Sequence, residues 1–171
     1  MMMPMKITSV AFLLFLTVSL IASLSHAMDG KPKLPENKWE PSVQGIKLGS
    51  QYPEVISAFG KPQSRMDREK KFFLTYDGLI IEIDRENKKS LWVSRIEITN
   101  PKWKMSPDIK VGMLKKDVLE ILGTPLHQEE RADGKVWMWW WHGNPKFDSL
   151  FSVTLEKGVA VKIILSEDTS L

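Results

Sequence analysis

The sequence predicts an α+β protein built from two tandem units, each a short helix followed by a three-stranded antiparallel sheet. Three observations carry that prediction. The chain matches itself at a shift of 63 residues, which lays Ile46-Lys47-Leu48-Gly49 over Ile109-Lys110-Val111-Gly112 and Phe59-Gly60-Lys61-Pro62 over Leu122-Gly123-Thr124-Pro125. A block of that length with glycines and a proline in register marks an internal duplication. Each copy holds one apolar stripe at helical spacing, closed by a Gly-x-Pro stop, and is followed by segments rich in β-branched and aromatic residues.

The first 27 residues carry one lysine, Lys6, an apolar stretch from Ala11 to Ala22, and the small residues Ser25 and Ala27 flanking His26. This pattern predicts a secretory signal peptide over 1–27. A spanning helix needs about 20 apolar residues, and Thr17 and Ser19 interrupt this shorter run. The expected location is therefore periplasmic or secreted. The chain has no Cys, which removes disulfides, thiolate metal sites, a cysteine nucleophile and lipid anchoring through Cys. There are 24 basic and 21 acidic residues, and the longest charge cluster, Asp67-Arg68-Glu69-Lys70-Lys71, is mixed in sign. Nothing here forms the basic face that nucleic acid requires, so nucleic acid is not an expected partner.

Residues 28–44 contain Pro32, Pro35 and Pro41 without periodicity and read as an extended leader. The first unit spans 45–99. In it Val55, Ile56 and Phe59 form the helix stripe, and Gly60 stands where a left-handed residue ends a helix at little cost. Strands follow at 71–76, 79–84 and 91–99, the first two joined by an Asp77-Gly78 turn. Residues 100–107 form a connector. The second unit, 108–171, repeats the order with Val118, Leu119 and Leu122, Gly123, and strands at 135–142, 150–156 and 159–166. A unit of about 60 residues buries too little surface to stand alone comfortably, so the two are expected to share one body.

Ile109 to Met113, Asp117-Val118, Leu122-Gly123-Thr124-Pro125-Leu126 and Trp137-Met138-Trp139 together resemble the SmpA/OmlA (BamE-like) family of small bacterial envelope proteins. The tandem arrangement is similar to the β-lactamase-inhibitor-protein fold. The resemblance implies a non-enzymatic binding module of the cell envelope. Two departures stand out. The family's usual Thr two residues after the Gly is Gln51 in the first copy and Leu114 in the second, so each helix start needs another capping partner. Many family members are lipoproteins, and a chain without Cys cannot be one by that route.

The unusual patch is Val136-Trp137-Met138-Trp139-Trp140-Trp141-His142. On a strand Trp137, Trp139 and Trp141 share one face, and Met138, Trp140 and His142 the other. So many indoles cannot all be buried in so small a sheet, and tryptophans are common energetic anchors of interfaces. The expected partner-binding residues are Trp137, Trp139, Trp140, Trp141 and His142. Tyr76 joins them, since the 63-residue shift sets Leu74 and Tyr76 over Trp137 and Trp139. His127 has Glu129 and Glu130 nearby but no second His at ligand spacing. No Gly-rich phosphate loop or Gly-x-Ser-x-Gly elbow is present, so no catalytic residue, metal or cofactor is expected.

Pro101-Lys102-Trp103-Lys104-Met105 mixes basic and aromatic residues. That pattern suits contact with anionic lipid and equally suits the anchor of a connector. The function predicted from the whole is an exported protein-binding module, with a part in outer-membrane or envelope assembly or maintenance. The alternative is an inhibitor of a secreted or periplasmic enzyme, with Gly143–Ser149 as the inserting loop.

Overall fold

The computed structural model describes residues 40–87, 90–144 and 147–167. The expected signal peptide at 1–27 and residues 28–39 of the expected leader lie outside the described residues. Those of the leader that are described are not all extended linker: Val43 is fully buried and forms a β-bridge with Ile46.

Helix α1 (Tyr52–Phe59) begins with Pro53 in its first turn and ends on Gly60 at φ 73°, a conformation that side chains with a Cβ rarely adopt. Helix α2 (Lys115–Leu122) ends in the same way on Gly123 at φ 75°. The missing cap side chains are replaced largely by the sheet. Ahead of α1, the Gly49 N–H donates to Val93 O and the Val93 N–H to Ser50 O, while Glu54 accepts from the Gln51 N–H at 2.6 Å. Ahead of α2, the Gly112 N–H donates to Ala160 O, the Ala160 N–H to Met113 O and the Lys115 N–H to Gly158 O. Each eight-residue helix, too short to persist alone, is thereby tethered to strand backbone.

The strands are β1 (Ser64–Asp67), β2 (Lys71–Tyr76), β3 (Leu79–Asn87), β4 (Ser90–Ile98), β5 (Lys104–Met105), β6 (Ile109–Lys110), β7 (His127–Glu130), β8 (Lys135–Asn144), β9 (Phe147–Glu156) and β10 (Val159–Glu167). Apart from the small β5–β6 ribbon they form one eight-stranded sheet in the order β1-β2-β3-β4-β10-β9-β8-β7, with every neighbour antiparallel. Two four-stranded meanders meet where β4 pairs β10, with Ile98 opposite Ile163 and Ile96 opposite Leu165.

This architecture corrects the predicted α+β fold of two helix-plus-three-stranded units. The protein is mostly β, with ten strands and two short helices among the described residues, and its main sheet is a single eight-stranded antiparallel sheet. The prediction missed β1 and β7 because Ser64-Arg65-Met66-Asp67 and His127-Gln128-Glu129-Glu130 are exposed on both faces and show no alternation. Edge strands pair on one side only and need no apolar face to form.

Helices, pre-helix loops and connector all lie on one face of the sheet. That face carries the core: Phe72, Leu74, Leu79, Ile81, Ile83, Ile96 and Ile98 from the first half, and Met138, Phe151, Val153, Leu155, Ile163 and Leu165 from the second. Val55 from α1 and Val118 and Leu122 from α2 close over it. The connector is part of this layer. The Trp103 indole donates to Asp77 O at 2.8 Å and meets the Phe59 ring edge-on at 5.5 Å, while Lys102 pairs with Asp77 at 2.6 Å. The aromatic member of the segment considered for lipid contact is thus occupied as an anchor.

The Asp77-Gly78 turn packs against the start of the connector. A Cβ on Gly78, at φ +67°, would overlap Asn100 Cβ, whereas one on Gly134, at φ +74°, meets nothing. Gly78→Ala is expected to cost several kcal/mol, a clash with backbone as well as the ~1 kcal/mol backbone strain that Gly134→Ala carries alone. Paired urea denaturations of the two variants measure the difference, and equal midpoints would contradict the packing described.

Candidate functional site

The second half of the sheet carries the aromatic run, and the pairing of β8 decides which ring points where. Met138 is wholly buried and Trp140 is 3% exposed, both on the helix side opposite Val153 and Phe151. Trp140 meets Phe151 at 6.3 Å, and its Nε1 donates to Gly123 O at 3.2 Å. Tyr76 does the same work in the first half: it is 7% exposed, its hydroxyl donates to Gly60 O at 3.1 Å, and its ring packs on Phe59. Both are wedges between sheet and helix C-terminus, which places these two expected binding residues in the interior.

The equivalence drawn from the 63-residue shift is therefore off by one on β8. β1 and β2 are linked by residues 68–70, whereas β7 and β8 are linked by residues 131–134. The extra residue moves Leu74 and Tyr76 into correspondence with Met138 and Trp140. A one-residue slip exchanges the two faces of a strand, so Trp137 and Trp139 stand on the side away from the helices.

There they form a layered stack. The Trp137 and Trp139 rings are 6.1 Å apart at 20°, the His127 ring meets Trp139 at 5.1 Å, and Arg131 Cζ lies 4.3 Å above the Trp137 ring. Ser152 and Thr154, opposite Trp139 and Trp137 on β9, are 3% and 9% exposed although neither described helix covers this face. Both tryptophans stay part-exposed, and Trp139 Nε1 is buried without a hydrogen-bond partner. Trp141 and His142 continue β8 opposite Leu150 and Ser149, with side chains outside the described residues. His127 is exposed on the edge strand, and among the described residues no cluster of His, Asp or Glu has metal-binding geometry.

The rest of the open face mixes ionic and apolar groups. Arg95 and Lys162 both reach Glu97, and Lys71 pairs with Glu82. Ile80, opposite Glu97 on the neighbouring strand, and Met66 on β1 are exposed, at 36% and 50%. No sequence signal placed the ionic groups, because apart from Arg95 and Glu97, both on β4, they meet only through the register. The expected inserting loop also changes: β8 and β9 stay paired as far as Asn144 opposite Phe147, so only residues 145–146 separate them.

At the end of β10, Glu167 is pushed up to about 7 by burial first and then by the charges of Asp84 and Glu82. A hydrogen bond from the Trp92 side chain opposes the rise without cancelling it. A raised acid stabilises the fold fully below its unfolded value of 4.5, and this contribution is lost as pH rises through about 7. Glu167→Gln should therefore match the unsubstituted protein near pH 4.5 and exceed it by ~1 kcal/mol above neutrality, after allowance for solvent screening. Thermal unfolding of both proteins across that range tests the sign. For the wedges, Trp140→Phe and Tyr76→Phe should each cost ~1 kcal/mol through a lost hydrogen bond to the helix cap, as measured by denaturant unfolding.

No protein-family model matches the chain, and no curated protein matches it. Among solved structures the chain is similar to an extracellular protein containing an SCP domain from Bacillus anthracis str. Ames, with a TM-score of 0.47 and 11% sequence identity. That match covers 81% of this chain and 49% of the other, so the chain spans about half the length of the structure it matches.

Proposed function

We propose that the protein is an exported, non-enzymatic binding module that presents the open face of its sheet to another protein, with Trp137 and Trp139 as the anchors. The observation that carries this reading is the pair of stacked, part-exposed indoles on a face that no other described element covers. Rings held by stacking and by the Arg131 and His127 contacts have little rotamer freedom left to lose, so binding against them costs little side-chain entropy.

Export rests on the signal-peptide pattern at 1–27. The likeness of the 109–139 motif to the SmpA/OmlA family supports an envelope component as the partner. Among the described residues no helix is long and apolar enough to cross a membrane. The inhibitor reading is weaker, because β8 and β9 leave only residues 145–146 between them.

The test is an affinity capture from envelope and periplasmic extracts, comparing the chain with its Trp137→Ala/Trp139→Ala variant. The variant should keep its secondary structure, since both side chains are outside the core, and should lose captured partner at least about tenfold, the effect of ~1.4 kcal/mol. Equal capture by a folded variant would rule out this surface. A Trp140→Phe control, altered only in the interior, should capture normally.

A further inference from the structure

Four residue pairs join the two halves of the sheet: Ile98 with Ile163, Glu97 with Ile164, Ile96 with Leu165 and Arg95 with Ser166. The next residue of β10, Glu167, stands just past the end of this seam. It belongs to the second half, where it pairs with Ser149 on β9. The charges that act on it come from the first half, Asp84 first and then Glu82, both on β3, and the Trp92 side chain on β4 donates a hydrogen bond to it. One end of the seam thus sets a half-buried carboxyl group of one half against two carboxylates of the other.

The described cations nearby are committed elsewhere. On β2, Lys71 is paired with Glu82, which is only 9% exposed. On β4, Arg95 is held by Glu97, and Lys162 of β10 reaches that same carboxylate. Residues 149–153 of β9 carry no charge. Gln51, which bridges to Trp92, is also neutral, and Glu54 at the start of α1 accepts from the Gln51 N–H. A carboxyl group in such surroundings keeps its proton longer than in water, because burial and like charges both oppose ionisation.

We infer that Glu167 is a proton-operated clasp on the seam: protonated, it completes the pairing of β10 with β4 and β9, and ionised, it frees Ser166 and Glu167 from Arg95 and Ser149. The release is local. Ile96, Ile98, Ile163 and Leu165 lie in the core and keep the rest of the seam closed, and a strand end opens at far lower cost than a whole sheet. The sign follows from linkage. The open end lets Glu167 ionise at its ordinary value of 4.5 and the closed end holds it up to about 7, so opening grows easier as pH rises from the first value and levels off above the second. The clasp does not depend on the open face being a binding surface.

Amide hydrogen exchange, read by NMR and corrected for the intrinsic rate at each pH, tests the inference. Between about pH 5 and about pH 8 the opening of 165–167 and of their partners at 149–151 should become at least about tenfold more frequent, after allowance for solvent screening. At the higher pH it should far exceed the opening of 72–76 in β2, which reports unfolding of the sheet. Glu167→Gln should open as rarely at both pH values as the unsubstituted chain does at the lower one. Asp84→Asn should shrink the rise without abolishing it, since burial is the larger cause. The inference is overturned if the end of β10 opens equally at both pH values, if Glu167→Gln retains the rise, if Asp84→Asn leaves it untouched, or if these amides open only as often as β2 does.

Discussion

The pairing of β4 with β10 is the constraint on which the rest of the molecule depends. On the helix side it sets Ile98 against Ile163 and Ile96 against Leu165, and on the open face it brings Lys162 within reach of Glu97. These two strands also supply the backbone groups that hold the loops ahead of both helices, through Val93 and Ala160. Without the seam each meander would show a hydrophobic edge, and each short helix would lean on half a core. The core is accordingly continuous across both halves, from Phe72 to Phe151.

The fold was legible in the sequence where side chains declare their surroundings. Val55, Val118, Gly60 and Gly123 marked the helices and their ends, and the alternation in Lys71–Tyr76 and Val159–Glu167 marked strands. It was not legible where backbone pairing alone makes the structure. β1 and β7 carry no apolar face, and their omission left each half one strand short. That the halves share one body was expected, but which strands join them was hidden, since a strand sequence does not state its neighbour.

For the candidate site, the composition pointed to the right strand but not to its facing. Trp137 and Trp139 emerge on the open side and Trp140 inside because the link at 131–134 is one residue longer than that at 68–70. Aligning the copies without a gap concealed this, and Tyr76 was grouped with the exposed rings for the same reason. The pairing of helix cap with aromatic donor, Tyr76 to Gly60 and Trp140 to Gly123, was the available signal: each strand needs a polar-tipped ring where the preceding helix ends. The stack itself, with Arg131 and His127 at its two ends, required the register of β7 against β8.

β10 is the last strand of the sheet in chain order, yet it occupies the centre. Residues such as Ile98 and Ile163 are 65 positions apart, so the sheet's middle closes only after nearly all of it has emerged. A chain held unfolded until its last strand is available has no stable half-structure to trap it, because the first meander alone leaves β4 unpaired. Placing the sheet's last strand in chain order at its centre links completion of the sheet to commitment to the fold.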